Sequence, residues 1–176
     1  MYAGHLGFAL GAYSFRRTIP LWLVLIASQL PDWLDAGMCM ASIDRGPYGL
    51  YTHGLVAVTI GAVAFGLLTW LLARDLTGAL LVAGVVLSHY LLDYFTGLKP
   101  TWSGGPIIGL YLYSRPVADL VLESFTVVAG WLLYRRTFPA SVRNDGMVYA
   151  TLFALIALQL LAGVVLALSL GGHIKC

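Results

Sequence analysis

Between Tyr51 and Leu98 the chain offers two long apolar runs, Tyr51 to Ala73 and Thr77 to Leu98, parted only by a short link around Arg74-Asp75. Each is long enough to cross the hydrocarbon core of a bilayer as a helix, which takes about 20 residues. Inside lipid, backbone N–H and C=O groups must find partners within the protein, so runs of this kind predict helices. Two more follow. Pro116 to about Tyr134 opens on a proline suited to a first helical turn, and Met147 to Leu170 carries no charge in its interior. The composition agrees: 60% of residues are hydrophobic and 10% charged, where soluble domains carry roughly 25% charged residues. A single integral membrane domain over residues 1–176 is the natural reading. A net charge of +2 without a basic tract argues against nucleic acid as a partner. Cys39 and Cys176 fit neither a disulfide framework nor a Cys-x-x-Cys site and read as unpaired thiols. No basic region precedes the first apolar run, so no secretory signal is expected.

The N-terminal part is different. Residues 3 to 15 form a short apolar segment containing His5 and closed by Arg16 and Arg17. Leu21 to Leu30 is a second, ended by Pro31. Neither spans as a straight helix, so the pair crosses tilted or forms a re-entrant hairpin. A loop from Pro31 to Leu50 is expected to hold Asp32, Asp35, Asp44 and Arg45. The expected fold is all-α: a polytopic membrane helix bundle of four full spans plus a short N-terminal helical pair.

Ionisable groups inside apolar spans are costly, and each is a functional candidate. His89 and Asp93 stand four residues apart in Leu87-Ser88-His89-Tyr90-Leu91-Leu92-Asp93 and so share one helix face. Alternating the segments across the membrane brings more such groups to the same end. His5 begins its segment, Asp32 and Asp35 follow theirs, His53 opens a span, and Asp119 and Glu123 open another. That set holds three of the four histidines and five of the eight acids. The opposite end receives Arg16, Arg17, Arg74, Arg135, Arg136 and Arg143, against Arg45, Lys99, Arg115 and Lys175 on the histidine side. By the positive-inside tendency the histidine end is extracytoplasmic, in a multi-pass protein of the cell membrane.

Imidazole with carboxylate, without thiolate, suits zinc first, with manganese or iron as further options. Like charges at Asp119 and Glu123 repel across one turn unless a cation or a proton relieves them. Five carboxylates against three imidazoles point to two or more ions. Two ions about 3.5–4 Å apart activate a water and clamp a phosphoryl oxygen.

The ordered set His5, Pro31-Asp32-Trp33-Leu34-Asp35, Thr52-His53, Ser88-His89-Tyr90-Leu91-Leu92-Asp93 and Asp119-x-x-x-Glu123 resembles the membrane-bound metal-dependent hydrolases, also called LexA-binding, inner-membrane-associated hydrolases. The resemblance covers residues 5 to about 136 and is shared, in its order of motifs, with zinc-dependent phospholipase C. It implies that Asp32 or Asp35, His53, His89 and Asp93 hold one ion, and that His5 serves a neighbouring ion with Asp93 as a bridge. Asp119 stands where that superfamily has histidine, and no further histidine follows soon after Asp93. The implied activity is hydrolysis of a phosphoester by metal-activated water, oriented by whichever of Asp32 and Asp35 is not the tighter ligand. Arg115 would bind substrate phosphate, and Trp102, Tyr111 and Tyr113 would line a lipid-access slot. A site at head-group level favours a phospholipid or lipid-linked phosphate as substrate. LexA binding has no residue-level support.

Each group also has a plainer role open to it. His89 and Asp93 could be a packing pair, His5 and His53 interfacial residues, Asp32 and Asp35 loop acids, and Asp119 and Glu123 acids favoured by a helix dipole. The tyrosines could be an interface belt. Asp44, Arg45, Asp75 and Asp145 read as solvated loop charges, and His173 as a tail residue. A proton- or metal-ion-coupled carrier would use the same His and acid groups, but the chain shows no repeated halves.

Overall fold

The computed structural model describes the backbone of residues 2–170 and the side chains of residues 3–165. His173, Lys175 and Cys176 lie outside the described residues. The chain is mostly helical. In order come α1 (Tyr2–Tyr13), α2 (Leu21–Met40), the single turn α3 (Leu50–His53), α4 (Leu55–Ala73), α5 (Leu76–Thr96), α6 (Pro116–Arg135) and α7 (Gly146–Leu170). A two-residue antiparallel pair, β1 (Lys99–Pro100) with β2 (Ile107–Ile108), folds the α5–α6 loop back on itself. Four helical stretches are long and apolar enough to cross a membrane: Pro47–Ala73, Leu76–Thr96, Pro116–Arg135 and Gly146–Val165. Their outer faces are exposed and apolar, as at Ile60, Val63, Leu80, Phe125 and Phe153, which suits lipid contact.

One boundary differs from expectation. The helix that begins at Leu21 does not stop at Pro31 but continues to Met40, so Asp32 and Asp35 are helical residues, not loop acids. Proline removes one hydrogen bond of the helical ladder and crowds the preceding turn. In membrane helices that loss is tolerated where neighbours satisfy the freed backbone groups. The carbonyl that loses its helical partner is that of Ala27, four residues before Pro31; the neighbouring Ser28 carbonyl accepts a hydrogen bond from His89 of α5 (2.9 Å).

A plug of Val24, Val58, Val82, Val85 and Val86, all buried, joins α2, α4 and α5. Helix α1 lies against α6 through glycines. A Cβ on Gly7 would meet Val127 Cα at 2.6 Å and the Thr126 carbonyl at 2.8 Å, and one on Gly130 would overlap the Gly7 carbonyl. We therefore expect Gly130→Ala to destabilise the bundle by about 3 kcal/mol through overpacking, read as a lower midpoint of thermal unfolding in detergent. Gly84→Ala, where an added Cβ meets nothing within 4 Å, is the control and should leave the midpoint nearly unchanged.

The loops at the arginine end touch one another. Arg16 pairs with both carboxylate oxygens of Asp75 (2.8 and 3.0 Å), and Arg17 donates to the Thr137 carbonyl (2.8 Å). The α1–α2, α4–α5 and α6–α7 connections thus share one end of the bundle, as alternation of the segments requires. Asp75 is not a free loop charge: it also accepts from Thr18 and from the Gly78 N–H that opens α5. The Arg16 hydrogen bond lowers its carboxyl from 3.8 to about 2. The stabilising contribution is present above the ordinary carboxylate value and fades as pH falls toward about 2. Cys39 is disulfide-bonded, contrary to the expectation of a free thiol.

Candidate metal centre

At the other end of the bundle five of the expected residues converge. His5 comes from the first turn of α1, Asp32 from α2 beyond its proline, His53 from α3, and His89 and Asp93 from one face of α5. His5, His53, His89 and Asp93 are buried, and Asp32 is partly so. Ligand atoms of Asp32, His53 and His89 lie within 4.8 Å of one another, as do those of His5, His89 and Asp93. The shorter contacts are His53 Nε2 to Asp32 Oδ1 (3.0 Å), His89 Nε2 to Asp93 Oδ2 (3.5 Å), His89 Nε2 to Asp32 Oδ1 (3.6 Å) and His53 Nε2 to Asp93 Oδ2 (3.7 Å). A tetrahedral site with metal–ligand bonds of roughly 2.0–2.1 Å has edges of about 3.3–3.4 Å. These four spacings fall around that value, but they run through two three-residue groups that share His89, and Asp32 and Asp93 do not stand in one group of mutually close ligand atoms.

The hydrogen-bond pattern fixes which ring nitrogens face inward. Thr52 Oγ1 donates to Asp35 Oδ1 (3.0 Å), so its oxygen accepts from His53 Nδ1–H (2.9 Å). The Asp35 carboxylate is held from its other side by Arg45 (2.8 Å). His89 Nδ1–H donates to the Ser28 carbonyl. His89 therefore carries a proton on Nδ1, as His53 does where Thr52 donates to Asp35; His53 Nε2 lies at hydrogen-bond distance from Asp32 Oδ1 (3.0 Å), a contact closed by a proton on that nitrogen or by a cation between the two. His89 Nε2, wholly buried, has no hydrogen-bond partner, and neither does Asp32 Oδ2. Acceptors facing one another at these distances repel unless a proton or a cation sits among them. The donor set of two neutral imidazoles and carboxylate fits a divalent ion of the zinc type. Orientation of each histidine through its second nitrogen is the pattern of metal-ligating histidines. Thr52→Val should accordingly weaken zinc binding about 10- to 100-fold, read by competition with a zinc chelator, although Thr52 touches no ion.

His5 stacks on His89, with ring centroids 3.8 Å apart and planes within 13°. Its Nε2 lies 3.2 Å from Asp93 Oδ1. Lys99, just past the end of α5, places Nζ 2.8 Å from Asp93 Oδ2. The remaining expected residues stand apart. Asp35 supports His53 from behind, through Thr52. Arg45, expected to be solvated, is its ion-pair partner. Asp119 and Glu123 join no converging group of ligand atoms among the described residues. Glu123 is buried and accepts instead from the backbone N–H groups of Ala3 and Gly4 at the start of α1, where a carboxylate complements the helix dipole. Arg115 is exposed and forms no ion pair among the described residues. Trp102 and Tyr111 are exposed and Tyr113 half-buried.

The fold and site thus define a helical bundle with four membrane-length helices and a buried His/Asp group able to hold a metal ion. Comparison with known protein families, curated proteins and solved structures finds no match to the chain.

Proposed function

We propose that the chain is a membrane-embedded, metal-dependent phosphoesterase of an amphiphilic substrate, a phospholipid or a lipid-linked phosphate. The observation that carries this reading is the inward-facing set Asp32 Oδ1, His53 Nε2, His89 Nε2 and Asp93 Oδ2, with Lys99 beside it. The motif order that resembles the membrane-bound metal-dependent hydrolases supports it as well. The nitrogen that His89 offers can serve one ion only, because Nδ1 is committed to Ser28. We read the two converging groups, which share His89, as holding one ion at a time, with the Lys99 ammonium beside Asp93. Asp32, His53, His89 and Asp93 would hold a divalent ion, which when bound would supply an acidified water and polarise a phosphoryl oxygen. Asp32 keeps a second, unpartnered oxygen that can take a proton from the attacking water. Lys99 meets the negative charge that grows on the phosphoryl group. His5 holds Asp93 in place through Oδ1.

Asp93 lies within a turn of the end of α5 and His89 about two turns from it, a position toward one end of a membrane-length helix that favours a substrate with its phosphate at the interface. With the arginine-bearing loops at the other end, this face is extracytoplasmic. A carrier is less well supported. Among the described residues, the core of α2, α4 and α5 beyond His89 is built on the buried valines Val24, Val58, Val82, Val85 and Val86. The test is turnover of phosphatidic acid and of a polyprenyl phosphate by the purified protein in mixed micelles. Activity lost to a chelator and restored by zinc or manganese supports the reading. No turnover of either by zinc-loaded protein would count against it.

A further inference from the structure

The loop after α5 is folded back over the end of that helix. The Leu110 N–H donates to the Tyr94 carbonyl (2.7 Å). Gly109, at φ +151°, lies so close to the Gly97 carbonyl that a Cβ would overlap it. A single 3₁₀ turn, Leu112–Ser114, then packs against both α5 and α6. It carries Tyr113, whose ring comes over Gly97. A Cβ on Gly97 would stand 3.5 Å from Tyr113 Cε2 and 3.5 Å from Lys99 Cε, so the phenol and the lysine stem are neighbours. The Tyr113 hydroxyl is hydrogen-bonded to the side chain of Thr96, which is wholly buried.

Thr96 fixes where that hydroxyl stands relative to the metal centre. It follows Asp93 by three residues, and Asp93 follows His89 by four, so the three share one face of α5. The rise from Asp93 to Thr96 is about 4.5 Å, toward the near end of the helix. A phosphate that enters from the interface therefore meets Tyr113 and Lys99 on its way to Asp93. Burial first, and then the charge of Asp93, push the phenol well above its ordinary value; Glu123 and Asp119 act the same way and the Thr96 bond acts against them. A phenol that keeps its proton gives one hydrogen bond and accepts another at its oxygen. We infer that Tyr113 is a substrate-binding residue: its O–H donates to a phosphoryl oxygen beside the Lys99 ammonium, while Thr96 donates to the phenol oxygen. The carboxylates of Asp119 and Glu123, on α6, repel a phosphate and Lys99 attracts it, so the shared oxygen lies between Tyr113 and Lys99. The inference rests on the proposed phosphoesterase reading and adds a residue to it.

Tyr113→Phe removes the hydroxyl and keeps the ring that packs beside the Lys99 stem, so the variant should fold as wild type does. The probe is inorganic phosphate, titrated calorimetrically into zinc-loaded protein that has been freed of excess zinc. Zinc content, the midpoint of thermal unfolding and turnover of phosphatidic acid are read on the same preparations. Tyr113→Phe is expected to bind phosphate about 10- to 100-fold more weakly than wild type, the scale of one hydrogen bond to a charged group. Zinc content and midpoint should not change. Phosphate binding within about threefold of wild type would overturn the inference. So would loss of zinc from Tyr113→Phe, which would make the residue a support of the metal centre. Turnover separates the two readings. Zinc-loaded wild type that neither binds phosphate nor turns over phosphatidic acid would sink the phosphoesterase reading and this inference with it. Turnover by wild type that Tyr113→Phe matches, with phosphate bound equally by both, would sink the inference alone.

Discussion

Purified in detergent and supplemented with zinc, the protein is expected to carry one tightly held ion per chain, and His89→Ala to lose it. The expectation follows from where the protons sit. His53 and His89 each spend Nδ1–H on an oxygen of the protein, Thr52 and Ser28, and turn Nε2 toward the carboxylates of Asp32 and Asp93. Without a metal ion these nitrogens and carboxylate oxygens stand 3.0–3.7 Å apart, joined by a proton between His53 and Asp32 and by the Lys99 ammonium at Asp93. With one, the same distances become ligand–ligand edges. Structural zinc contributes about 10–16 kcal/mol across four ligands, so removing one costs roughly 3 kcal/mol, a loss in affinity of about a hundredfold or more. His53→Ala should behave alike. His5→Ala should not: its Nε2 faces Asp93 Oδ1, behind the inward-facing set, and a drop of about tenfold is the scale for such a support. Elemental analysis of wild type and the three variants after desalting reads all of this. Wild type without metal after supplementation would remove the centre, and two ions per chain would restore the binuclear expectation.

Part of this site was legible in the chain and part was not, for reasons that can be named. The face shared by His89 and Asp93 follows from helical spacing alone, and the clustering of His5, Asp32 and His53 with them follows from alternating segments across a membrane. Pro31 misled, because local chemistry says that a proline ends a helix, whereas here the turn before it turns a carbonyl to His89. The support behind His53 was hidden for a different reason. The chain between Met40 and Leu50 turns sharply, with Gly46 and Gly49 at φ of +69° and +71°, and this carries Arg45 back onto Asp35. Gly46-Pro47 is a readable turn signal, but nothing local says which acid the arginine meets. Glu123 illustrates the same limit: an acid in the first turns of α6 reads as favoured by its own helix, yet it serves the N-terminus of α1. Helix–helix partners are set by packing through Gly7 and Gly130, which sequence periodicity does not reveal.

Lys99 was the least visible member, and it yields the sharper test of chemistry against mere metal binding. It follows α5 by a short turn and begins β1, and the pairing of Lys99 with Ile108 helps anchor its backbone. Its side chain is largely buried, with Nζ 2.8 Å from the Asp93 oxygen that also faces both histidines. Two roles predict the same metal binding but different turnover for Lys99→Met, which keeps the aliphatic bulk and removes the charge. If the ammonium only neutralises Asp93, its loss frees a carboxylate for the ion, so metal binding holds or tightens and turnover follows metal occupancy. If it meets the charge that develops on the phosphoryl group, metal binding again holds or tightens, but kcat at full zinc occupancy falls about 100- to 1,000-fold, the scale for removing one preorganised donor to a developing anion. We expect the second outcome. The measurement is kcat on phosphatidic acid at saturating zinc, with zinc content read on the same preparation. A kcat within about threefold of wild type at full occupancy, under 1 kcal/mol in barrier, would return Lys99 to the role of a counter-ion and leave the ion to stabilise the transition state without it.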